Sequence, residues 1–207
     1  NTTAGQEEQS SVYNVGVDTT APGIPTGMAS TPSSWTNVNN FRESWTNPLD
    51  TSGIVGVYYK LNEEPLFPTD GSYITTTNTL NNIQVPSEGA HTILVWLKDA
   101  AGNVDHNNYR VHLNAFRYDA TAPNVVITNA TQPGSNSWYT STVTLGFTPA
   151  DSTSGIQSWG WRLDGGALNT ATTTQVAASG VHTITITAAD KAGNNMPVIN
   201  YPLPVDT

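Results

Sequence analysis

The residues best equipped for chemistry in this sequence are carboxylates in matched positions. Asp50 and Asp151 each stand just before a Ser-Gly-Ile triplet, and Asp99 and Asp190 each open an Asp-x-Ala-Gly-Asn segment. Loop carboxylates, Asn side chains and backbone carbonyls suit a hard cation such as calcium. Asp99, Asn103, Asp105 and Asp119 are the set that the expected topology gathers at one end of a module, and they form the candidate calcium site at a module junction. Their spacing matches no EF-hand loop, and a single Asp per turn is ordinary turn chemistry. A glycosidase needs two acids facing a cleft. Asp50 and Asp151, duplicated in small modules, read as turn and cap acids instead.

His91 and His182 hold equivalent places, each opening a strand and followed by Thr. Neither has a second His or carboxylate at metal-ligand spacing, so both read as structural. His106 and His112 occur only in the first half, and His106, following Asp105 in a loop, reads as a surface residue. Cysteine is absent, which removes thiolate metal sites, disulfides and cysteine nucleophiles. No Gly-x-Ser-x-Gly elbow and no glycine-rich phosphate loop ahead of a helix is present. No catalytic or cofactor-binding residue is therefore assigned. Of the 6 tryptophans, Trp35 and Trp138 precede strands in Ser/Asn-rich context, where a ring can stack on a sugar. They are the candidate ligand residues. Trp45, Trp96, Trp159 and Trp161 read as core.

These residues are positioned by an internal repeat. Asp18-Thr19-Thr20-Ala21-Pro22 returns as Asp119-Ala120-Thr121-Ala122-Pro123, Ser52-Gly53-Ile54 as Ser154-Gly155-Ile156, and Tyr59-Lys60-Leu61-Asn62 as Trp161-Arg162-Leu163-Asp164. Gly89-Ala90-His91-Thr92 returns as Gly180-Val181-His182-Thr183, and Asp99-Ala100-Ala101-Gly102-Asn103 as Asp190-Lys191-Ala192-Gly193-Asn194. The offset is 101–103 in the first part of the repeat and 91 in the second, so the first copy carries about eleven extra residues, around Glu63–Gly71. Asp206-Thr207 resembles the opening of a third Asp-x-Thr-Ala-Pro segment, and residues 12–17 fill the place of a closing strand before the first. The chain thus reads as two whole modules of a longer array.

Within each copy the apolar period is two. Ser141–Phe147 sends Val143, Leu145 and Phe147 inward, and His91–Lys98 is apolar on both faces, as in a strand covered on both sides. Gly, Pro, Asn and Asp cluster between such runs, and no segment carries a helical stripe. The expected fold is all-β: two tandem immunoglobulin-like β-sandwich domains joined by a short Pro-containing linker. Residues 18–118 form the first domain and 119–207 the second. Residues 1–17 are an N-terminal extension, read as the last strand of a preceding module or as a donor strand. Pro22 and Pro123, with φ pre-set, make each joint short and stiff.

Composition narrows the partners. The formal charge is −9, with 7 Lys+Arg against 16 Asp+Glu, and only 11% of residues are charged. Scattered basic residues cannot follow a phosphate backbone, so nucleic acid is excluded. No apolar run approaches the length of a membrane helix. The Thr/Asn-rich, Cys-free composition accords with an extracellular or cell-surface location.

The motifs in this order resemble those of bacterial immunoglobulin-like and fibronectin type III-like repeats of large extracellular proteins, over nearly the whole stretch from Asp18 to Asp206. The resemblance implies a non-enzymatic structural or adhesive module of a surface stalk, adhesin or filament. The alternative it implies is a carbohydrate-binding accessory module of a secreted glycoside hydrolase. Expected partners are adjacent repeats or neighbouring copies of the same protein, the latter by strand donation from residues 2–17, and surface glycans. No cofactor other than calcium is expected.

Overall fold

The computed structural model describes residues 16–207 apart from Thr77 and Ser135. The strand-donor reading of residues 2–17 therefore lies almost wholly outside the described residues. Thirteen strands follow one another with no helix among the described residues. The first half holds β1 (Thr26–Thr31), β2 (Phe41–Thr46), β3 (Ile54–Leu61), β4 (Ser72–Ile74), β5 (Thr79–Ile83), β6 (Gly89–Asp99) and β7 (Arg110–Tyr118). The second holds β8 (Asn124–Asn129), β9 (Val143–Ala150), β10 (Ile156–Leu163), β11 (Thr173–Val176), β12 (Gly180–Asp190) and β13 (Ile199–Val205).

Each half makes two antiparallel sheets. They run β1-β2-β5 and β4-β3-β6-β7 in the first half, and β8-β9-β11 and β10-β12-β13 in the second. The chain changes sheet after the second strand of each half, then returns to place the later strand beside it. That crossing order is the one shared by immunoglobulin-like and fibronectin type III-like sandwiches. The fold is all-β, as the period-two pattern predicts.

The two halves close separate cores. In the first, Phe41 and Trp45 on β2 meet Val57, Ile93, Val95, Leu97 and Phe116 from the facing sheet. Phe41 and Phe116 lie 4.9 Å apart, centroid to centroid. In the second, Val143, Leu145 and Phe147 on β9 meet Trp161, Ile184, Ile186 and Leu203, with Phe147 stacked on Trp161 at 5.5 Å. Each large apolar side chain so buried contributes about 1.5–3 kcal/mol.

Strand β6 is buried on both faces, and the reason lies in the insertion of the first copy. Ile93, Val95 and Leu97 face the core, while Leu94 and Trp96 face outward. Trp96 is nonetheless 0% exposed. Residues 62–71 fold across the outer sheet face: Trp96 Nε1 donates to Pro68 O (2.8 Å), and Tyr58 stacks on the indole at 5.7 Å. Lys60 anchors the strap through Asp70 (3.0 Å), whose Oδ2 also accepts from Leu66 N. Trp96 is thus buried, as expected, but beneath the insertion rather than in the sandwich core. The edge strand β4 follows the insertion and pairs with β3 at Tyr59 and Ser72, where the second half has a single antiparallel bridge between Trp161 and Asn169.

Candidate functional site

Three turns converge at one end of each half. The first is the Asp-x-Thr-Ala-Pro lead-in, the second the loop before β3 or β10, and the third the hairpin turn after β6 or β12. In the hairpin turns Gly102 (φ 99°) and Gly193 (φ 94°) adopt the left-handed conformation that only glycine takes without strain. The turn-opening aspartate caps the amides this exposes. Asp99 Oδ1 accepts from Asn103 N (2.7 Å), and Asp190 Oδ1 accepts from Ala192 N and Asn194 N. Asp50 caps Ser52 and Gly53, and Asp151 caps Thr153 and Gly155. Asp18 and Asp119 reach across from the lead-ins to accept from the amides of Ser52 and Ser154.

Convergence of the turns brings the acids together. Asp18, Asp50 and Asp99 place carboxylate oxygens within 4.8 Å of one another, and so do Asp119, Asp151 and Asp190. Asp99, Asp119 and Asp190 are buried. The Thr20 amide, with Ser52 beside it, holds the Asp18 carboxyl below the ordinary aspartate range. Three anions so close repel one another, and backbone N–H groups offset part of that cost. A cavity of about 300 Å³, lined by Gly16, Val17, Asp18, Thr51, Ser52, Ala100 and Ala101, adjoins the first triad. Three convergent carboxylates are a donor set suited to a hard cation.

The residues named from sequence do not make one site. Asp99 belongs to the first triad and Asp119 to the second. Asn103 turns its amide nitrogen to Asp99 Oδ2 (2.8 Å) and Asp18 O (3.0 Å), so it holds the turn and offers no oxygen there. Asp105 lies in neither group and accepts from Asn107 N and Nδ2. The reason is topological: Asp119 opens the second half and packs on its turns. Sequence reasoning missed Asp18 and Asp190 and left Asp50 and Asp151 as turn acids. The signal was present, since all three acids recur in the same order in both copies.

Trp35 and Trp138 are both half-buried. Trp138 borders a groove of about 460 Å³ with Asn136, Ser179, Gly180, Val205 and Asp206. Trp45, Trp96 and Trp161 are buried, and Trp159 packs against the second core. The strand-opening histidines act as staples. His91 bridges Asn62 and Ser87 O (both 2.9 Å), and His182 bridges Asp164 (2.7 Å) and Ala178 O (2.9 Å).

The junction between the halves has a repeated set of bonds. Thr36 N donates to Arg117 O (3.1 Å) and Asp119 N to Thr36 O (3.0 Å), while Glu88 accepts from Ala120 N and Thr121 Oγ1. At the end of the second half Tyr139 N donates to Pro204 O (2.9 Å) and Asp206 N to Tyr139 O (2.8 Å), with Ser179, in the place of Glu88, bonded to Thr207.

No protein-family model matches the chain. It is 29% identical over 187 residues to chitinase A1 of Niallia circulans, a match covering 86% of this chain and 25% of the chitinase. The chain therefore spans about a quarter of the length of that relative. Among solved structures it aligns with the fibronectin(III)-like modules of Clostridium thermocellum CbhA at a TM-score of 0.36 and 15% identity, covering 84% of this chain and 91% of that one. It also aligns with the FN1–FN3 domains of chicken CNTN1 at a TM-score of 0.34 and 11% identity, covering 89% and 68% respectively. The described residues fold as two antiparallel β-sandwiches.

Proposed function

We propose that this chain is a non-catalytic spacer: two modules, residues 18–118 and 119–207, that hold other parts of a secreted glycan-degrading protein at a fixed distance. The observation that carries the reading is the repeated junction. The same backbone bonds that tie Asp119 to Thr36 tie Asp206 to Tyr139, so each module ends in a preset, hydrogen-bonded exit rather than a free linker. A spacer needs that property and an active site does not. Similarity to a chitinase supports the enzyme setting and the extracellular location. Burial of Trp45, Trp96 and Trp161 removes the flat exposed rings on which glycans stack.

A second reading, carbohydrate binding, is favoured by one feature: the groove beside Trp138, with Asn136, Ser179 and Asp206 on its rim. Small-angle scattering and a chitin pull-down on the same chain separate the two. The spacer reading expects an elongated particle whose dimensions hold across salt concentrations, with no retention on chitin. Retention that disappears in Trp138→Ala would replace it with the second reading.

Calcium remains a proposal, moved to the residues that converge: Asp18, Asp50 and Asp99 in one module, and Asp119, Asp151 and Asp190 in the other. Calcium added after chelation is expected to raise the melting temperature. An unchanged melting temperature would leave these acids as turn caps alone.

A further inference from the structure

Glu43 sits on β2 between Phe41 and Trp45, points into the first core and is 0% exposed. Its Oε1 lies 2.9 Å from His112 Nδ1, and its Oε2 has no hydrogen-bond partner. His112 stands on β7 of the facing sheet with its side chain 27% exposed, so the pair crosses the sandwich and keeps a path to solvent. The second module has no such link. Leu145 takes the place of Glu43 in the repeat, and Tyr201, paired with Ile184 as His112 is with Ile93, takes that of His112. We propose that Glu43 and His112 form a proton-dependent tie between the two sheets of the first module, which makes that module open in response to rising pH through a core pair that the second module lacks.

The physics follows from the surroundings. A carboxylate in an apolar core is costly when charged, and the cost persists where an oxygen lacks a donor. One proton shared between Glu43 and His112 leaves the pair neutral and bonded. Among the described residues no other charged group compensates. In register with Glu43 stand Ser30 on β1 and Leu80 on β5. Tyr59 on β3 and Tyr118 on β7 are the further titratable residues packed against this core. Arg42, next to Glu43, is exposed on the other face of β2, and Arg110, two residues before His112, turns its Nε to Pro25 O at 3.0 Å.

Burial pushes the Glu43 carboxyl above its ordinary value, and His112 offsets part of that rise. A folded value above the unfolded one means that the folded module holds the extra proton. Its stabilising contribution is fully present below the unfolded value and is lost as pH climbs through the folded one. Beyond that point a buried, uncompensated anion remains, and the sheets separate more readily.

Hydrogen exchange of the intact chain, followed by mass spectrometry from about pH 5 to about pH 9 and corrected for intrinsic exchange, tests the proposal. Peptides from β2 and β7 are expected to lose protection with rising pH, by roughly tenfold per unit across the titration window. Glu43→Leu, which installs the residue of the second module, is expected to abolish that slope and leave peptides from β9 and β12 unchanged. Glu43→Gln, which cannot ionise, is expected to do the same and serves if the leucine variant misfolds. A wild-type β2 and β7 profile without a slope, or a slope that survives in either folded variant, overturns the proposal.

Discussion

Asn62 and Asp164 stand at the same turn of the two copies, both with positive φ (65° and 49°), and each offers its histidine a different partner. Asn62 Oδ1 accepts from Thr92 N, which turns its Nδ2 to His91 Nδ1. His91 Nδ1 is then an acceptor, Nε2 carries the proton toward Ser87 O, and a neutral ring satisfies every bond. In the second copy both ring nitrogens of His182 face acceptors, Asp164 Oδ2 and Ala178 O, so the doubly protonated ring fits best. The Asp164 hydrogen bond raises the His182 value, and His182 lowers that of Asp164. The signs then follow. Stability from His182 is present below about pH 6.5 and is lost as pH rises through its raised value. Stability from Asp164 is present above about pH 4 and is lost as pH falls through its lowered value. The second module is therefore expected to be most resistant to denaturant between these limits. Asp164→Asn, which gives the second copy the side chain of the first, should flatten the profile on β12 and leave β6 unaffected. Denaturation monitored by hydrogen exchange at each pH checks both statements.

Among the elements, the strap over β6 shows how an insertion changes what a strand can be. An outward Trp on a half-exposed strand would leave a large apolar ring in water. Residues 62–71 cover Trp96, and Gly71 makes the close approach feasible. A Cβ at Gly71 would come within 2.5 Å of the indole and 2.7 Å of Tyr59 O. The carbonyl belongs to β3 and cannot yield. Gly71→Ala is expected to destabilise the first module by about 1–3 kcal/mol, the range of an overpacked site. Its denaturation midpoint should fall while the second module melts as before. Deleting residues 63–70 should leave the sandwich core formed but make Trp96 accessible to acrylamide quenching. A first module that fails to fold without them would mean that the strap is part of the core. In the second module the outer positions across β10 and β12 are Gly160, Arg162, Thr185 and Thr187, and the chain at Leu168 and Asn169 lies close over Gly160, where no large apolar ring has to be covered.

For the whole molecule, separate sheets and separate cores predict two cooperative units. Residues 119–207, expressed alone, are expected to melt cooperatively near the temperature of the corresponding transition in the full chain, as calorimetry would record. A fragment without a transition would show that the Glu88 clamp on Ala120 and Thr121 is needed for folding. Much of this architecture was legible in the chain itself. Val143, Leu145 and Phe147 alternate because side chains of a strand point to opposite faces, and the turn glycines recur because only glycine takes their φ without strain; both are local rules. The repeat therefore announced strands, turns and copy number. Three things were decided only by tertiary packing. Which aspartates meet depends on the lead-in turning onto the following module, so Asp119 joined Asp151 and Asp190 rather than Asp99 and Asp105. Trp96 is buried because a strap 28 residues away in sequence lies over it. Glu43 holds a core position by virtue of His112, 69 residues further on. Period and turn chemistry act between neighbours along the chain, whereas charge pairing, convergence and cover act between residues that only the folded sheets bring into contact.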